Sequence, residues 1–125
     1  VALADVLAQV ISVQIEDDGA LTMLYQGTVA SLREVAIADG LTLVSLTQVL
    51  AWDLPCSAAL RERVAAQTNK TMLGTVAMSE QPESRVDVML RYNFPVDGLQ
   101  DQALQTLVLM VLDGGVEVRR ALTGA

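Results

Sequence analysis

The strongest constraint in the chain is the stretch Arg85–Leu122, which holds one strand, one turn and one long helix. Val86, Val88, Leu90, Tyr92 and Phe94 share one parity, and Arg85, Asp87, Met89, Arg91 and Asn93 the other. A period of two predicts a strand with one face in a core. Pro95 ends the ladder because it has no N–H to donate. Asp97-Gly98 makes a turn. Leu104, Val108, Val111, Gly115, Val118 and Leu122 then keep a spacing of four and three, one stripe of a helix. The phase survives Gly114-Gly115, so the helix is predicted to run through the pair. The missing side chain of Gly115 then permits close approach to the sheet.

The remaining elements follow from local chemistry. Leu3, Val6, Leu7 and Val10 recur at helical spacing, giving a short helix over Ala2–Val10. Ser12–Glu16 alternates weakly. Asp17-Asp18-Gly19 is a turn, and Ala20–Gln26 a strand with Leu21, Met23 and Tyr25 on one face. Over Thr28–Ala38, Val29, Val35 and Ile37 share a parity that Arg33 interrupts, so a bulge near Arg33-Glu34 is expected. Asp39-Gly40 is a hairpin signal. In the long strand Leu41–Trp52, Val44, Leu46, Leu50 and Trp52 fall on one face. Leu43, Val49 and Ala51 fall on the other, so both faces need cover. Ser57 suits the N-cap of a helix reaching Thr68, with Leu60, Val64 and Ala65 on its stripe and Asn69 in the left-handed position after it. Met72–Ser79 reads as a strand, followed by a polar hairpin loop over Glu80–Ser84. The expected fold class is α+β: a mostly antiparallel five-stranded sheet with helices packed on it, in a single domain over residues 1–125.

Composition narrows function by exclusion. The chain of 125 residues is 52% hydrophobic but only 3% aromatic, so Val, Leu and Ala must do the packing. A net charge of −7 and scattered Arg residues argue against nucleic acid. The longest apolar run, Leu107–Leu112, is far short of the roughly 18 residues a membrane helix needs. One cysteine suits a reducing cytoplasm, where the protein is expected. No signal peptide is visible, and a start at Val1 reads as a processed or trimmed form. With no histidine, the commonest general base and metal ligand are missing.

Four places hold residue types that carry chemistry elsewhere. Cys56, before a predicted helix, could be an activated thiol but reads better as a small apolar residue. Asp17 and Asp18 lack the alternating oxygen spacing of a Ca²⁺ loop and read as a solvated turn. Asp97 and Asp101 suit the positive end of a helix. Gly114-Gly115 lacks the spacing of a phosphate loop. No enzyme activity, metal or cofactor is therefore expected. Core filling accounts for Met23, Met72, Met78 and Met110, but Met89 lies opposite the core parity of its strand. Leu43, Val49, Ala51 and Met89 are the candidate interaction surface, to be covered by a second copy in a homodimer or by an unknown protein partner. A small-ligand-sensing domain with an apolar pocket between sheet and helices is the alternative.

The layout resembles the YbjN family of small bacterial proteins, whose fold is like that of type III secretion chaperones. Four stretches carry the resemblance: Gly19 to Gln26; Leu41–Pro55, LTLVSLTQVLAWDLP; Val64–Met78, VAAQTNKTMLGTVAM; and Val86–Leu107. The resemblance implies a non-enzymatic, chaperone-like or regulatory module, the members being described as proposed sensory-transduction regulators. It also implies the homodimeric state of secretion chaperones.

Overall fold

The computed structural model describes residues 3–124, so Val1 and Ala2, the expected start of the first helix, lie outside it. Its elements in chain order are α1 (Leu3–Leu7), β1 (Gln14–Ile15), β2 (Leu21–Tyr25), β3 (Thr28–Ala38), β4 (Leu41–Pro55), α2 (Ala58–Thr68), β5 (Thr75–Gln81), β6 (Arg85–Pro95) and α3 (Asp101–Thr123). The class is α+β, with a sheet in the order β1-β2-β3-β4-β6-β5 and every neighbouring pair antiparallel. The sheet has six strands rather than five, because two residues of the weakly alternating Ser12–Glu16 stretch pair with β2.

The strand Arg85–Pro95 forms as its alternation requires: Val86, Val88, Leu90 and Phe94 are buried, and Tyr92 stacks on Phe94 at 5.5 Å. The helix α3 runs unbroken through both glycines and ends at Gly124 in the left-handed conformation. Its buried stripe is Leu104, Val108, Val111, Leu112, Gly115, Val118 and Leu122 with Val116 beside it. In α2, the Ser57 hydroxyl accepts from the Leu60 N–H at 3.1 Å, a cap worth about 1 kcal/mol. Leu60 and Val64 are buried but Ala65 is exposed, and Asn69 is right-handed rather than left-handed. The cap there is made by backbone alone, the Asn69 N–H bonding to the Gln67 carbonyl.

Four other expectations are corrected. The helix α1 ends at Leu7, leaving Val10 exposed. The strand β5 begins at Thr75, because Gly74 holds a positive φ and packs against Leu90, where a Cβ would come within 2.7 Å of the Leu90 side chain. In β3 the buried parity is Thr28, Ala30 and Leu32, and the register stays regular past Arg33-Glu34 to a shift at Ile37. The outer half of β3 runs past the helices, so Val35 (44% exposed) and Ile37 (54%) need no apolar cover to form it.

The fourth correction concerns β4. Its register shifts between Val49 and Ala51, so Leu50 and Ala51 together oppose Val88. This bulge turns Ala51 inward, where it is 2% exposed, and turns Trp52 out of the core parity to 47%. The Arg119 guanidinium donates to the Leu50 carbonyl at 2.6 Å, so the helix satisfies the bulge. A second shift follows before Leu54, with Asp53 at positive φ and its N–H bonded to Asp87 Oδ1 at 2.9 Å.

Candidate interaction face

All three helices pack into one core cluster with one face of the sheet. At its centre lies Gln48, fully buried on the parity of Val44, Leu46 and Leu50. Its Nε2 donates to Thr28 Oγ1 at 3.0 Å and to the Leu112 carbonyl at 3.1 Å. Its Oε1 has no conventional donor. A Cβ on Gly115 would stand 1.9 Å from that oxygen, so the Gly115 Cα–H points at it as a weak donor. The close approach expected of Gly115 is therefore made, and its partner is this amide. Val108, Val111 and Leu112 are also fully buried and fill the space under α3.

Among the described residues the other face of the sheet carries no helix, and cross-strand register arranges its side chains in rows. Leu24 pairs with Val29, Val29 with Val49, Val49 with Met89, and Met89 with Ala77. Alternation puts all five on the face away from the core. They make one apolar row across five strands, half-buried along β3 to β5 and 72% exposed at Leu24. The next row is polar: Thr22, Ser31, Thr47, Arg91 and Thr75. Beyond it, Val35 and Leu43 pair beside Pro95. Of the four candidate residues, Leu43, Val49 and Met89 lie partly exposed on this face, whereas Ala51 is turned inward by the bulge. Leu24, Val29 and Ala77 join the surface only through strand pairing. Counted through the bulge, Trp52 falls on the same face, next along β4 from Val49.

Charge on this face is balanced. Arg33 forms an ion pair with Asp18, whose carboxyl is held below its usual range first by that contact and then by the Ala20 N–H. Arg85 lies 3.8 Å from Asp53. That leaves Arg91 and Asp87, two residues either side of Met89 on one parity. The acids weighed for other chemistry do local work: Asp18 closes its turn, and Asp97 accepts the Thr42 N–H at 2.5 Å rather than capping α3. On the covered side, Tyr25 donates to Asp113 of α3, which raises the phenol's pKa. Cys56 packs partly buried against the core cluster.

Clefts also open beside the helices. One of about 490 Å³ lies between α1 and the β2–β3 pair, lined by Leu3, Leu21, Arg33 and Val35. Another of about 470 Å³ lies between the end of α2 and the outer side of α3, lined by Lys70, Met72, Met110 and Glu117. Among the described residues, no helix is long and apolar enough to cross a membrane.

No family model matches the chain, and no curated protein matches it. The fold itself does have a match. The crystal structure of YbjN from E. coli, a proposed transcription regulator, superposes with a TM-score of 0.66 at 13% identity, covering 94% of this chain and 85% of that one. The chain has a YbjN-like fold. The YbjN-like arrangement extends over nearly the whole sequence.

Proposed function

We propose that the protein is a non-enzymatic protein-binding module of regulatory type, and that the open face of the sheet is its docking surface. The carrying observation is the row Leu24–Val29–Val49–Met89–Ala77, apolar on every strand it crosses and, among the described residues, covered by no helix. Sheets with one uncovered face ordinarily alternate to polar residues on that face. A contiguous apolar patch there marks a contact surface. The likeness to YbjN supports a regulatory role, and the −7 charge favours protein contacts over direct binding to nucleic acid. The chaperone-like character implied by the family resemblance belongs to the same reading, since a flat apolar sheet suits extended protein segments.

The test is affinity capture from native cell extract with the wild-type chain and with Val49→Asp, both shown folded by circular dichroism. Proteins held by the wild type should be absent from the variant. The same set on both would overturn this reading.

A further inference from the structure

We infer that the first occupant of the open face is a second copy of this chain, packed sheet to sheet about a two-fold axis that runs along the apolar row. This deepens the docking surface proposed above and rests on it. Three observations carry it.

The first is the charge order along β6. Asp87 and Arg91 flank Met89 at equal distance, on one face, with opposite signs. A two-fold axis lying along the row reverses the strand direction of the partner and keeps the row in place. Each apolar residue then meets its own copy, Arg91 meets the partner copy's Asp87, and Asp87 meets the partner copy's Arg91. This reciprocity is what a two-fold interface demands of a surface. The Arg91 guanidinium is exposed, and Asp87 uses one oxygen, Oδ1, toward Asp53.

The second is electrostatic balance. The whole chain carries −7, so two copies repel over most of their surfaces. On this face Arg33 and Arg85 are matched by Asp18 and Asp53, and Arg91 by Asp87. A second copy is thus least opposed here.

The third is area. Five strands about 4.8 Å apart, with about seven residues each at about 3.3 Å per residue, present about 550 Å². Two copies then bury about 1,100 Å², which clears the roughly 1,000 Å² expected of a specific interface. In this arrangement Trp52 lies over Thr47 of the second copy, so the only tryptophan of the chain reports on association.

The experiment is sedimentation equilibrium of the full chain from about 1 to 100 µM, with Trp52 emission followed in parallel. A species of about twice 13.3 kDa, with emission moving to shorter wavelength on association, is expected. Arg91→Asp and Asp87→Arg should each weaken association at least about tenfold, since each sets two like charges together twice. Mixed one to one they should restore a dimer, because the acidic pair of one chain then meets the basic pair of the other. The double variant Asp87→Arg/Arg91→Asp restores both pairs within one sequence and is a second rescue; both chains that carry Asp87→Arg lose the acceptor of the Asp53 N–H, so each is first shown folded by circular dichroism. A wild-type monomer at every concentration, an Arg91→Asp chain that associates like wild type, or failure of both rescues overturns the inference. A monomer that still loses its captured proteins through Val49→Asp would sink the dimer alone and leave the docking surface standing.

Discussion

On the side of β4 turned to α3, Val44, Leu46, Gln48 and Leu50 are sealed. On the side turned away, Leu43, Ser45, Thr47 and Val49 are all part-exposed. The two sides come from one strand and one backbone, yet they tolerate different things. The sealed side holds a polar amide bonded to Thr28 and to the Leu112 carbonyl. The open side holds apolar groups that no described helix covers. Burial by itself therefore does not separate the structural face from the face proposed to bind. The informative features are a polar residue inside and apolar residues outside.

The largest test of this contrast is Gly115→Ala. A single methyl would meet Gln48 Oε1 at 1.9 Å and its amide carbon at 2.4 Å, and moving the buried amide would break its bonds to Thr28 and the Leu112 carbonyl. A loss of about 3 kcal/mol is expected in urea unfolding. Stability within about 0.5 kcal/mol of wild type would mean that the amide packs elsewhere. The adjacent Gly114→Ala should act in the opposite sense. A Cβ there meets nothing within 4 Å and the residue is helical, so the change should stabilise by up to about 1 kcal/mol. The smallest effect belongs to the open side. Leu24→Ser, measured in denaturant at concentrations where the chain is monomeric, should change stability by no more than about 0.5 kcal/mol. A loss several times larger would show that Leu24 is core.

Much of the fold was legible in the residues themselves. The alternation from Val86 to Phe94 and the stripe from Leu104 to Leu122 each carry one period over a long span, and both elements form where that period says. The family resemblance pointed to the same architecture. What was not legible depends on pairing rather than on period. The Leu50–Ala51 bulge has no local signature, and one extra residue there reverses the faces of Ala51 and Trp52. The outer half of β3 misled because alternation implies cover, and that half runs beyond any cover. Gln48 could have been found: it sits on the parity of Val44, Leu46 and Leu50, and a glycine lies on the facing helical stripe. The apolar row needed strand register, since Leu24, Val29, Val49, Met89 and Ala77 come from five different strands. The opposite charges at Asp87 and Arg91, two residues either side of Met89, were in plain view once that face was known to be bare.

The contact between Gln48 and α3 also limits how α3 can move. Packed helices commonly respond to binding by sliding along their neighbours. Here a slide of α3 by one turn would bring Val111 or Val118, or a residue beside them, to the place that Gly115 occupies. A branched side chain would then press on a buried amide that had also lost the Leu112 carbonyl. The helix is keyed to one position, like a bolt with a single notch. The α3 layer is a stationary backing, so any motion of the sheet is left to strand edges and loops.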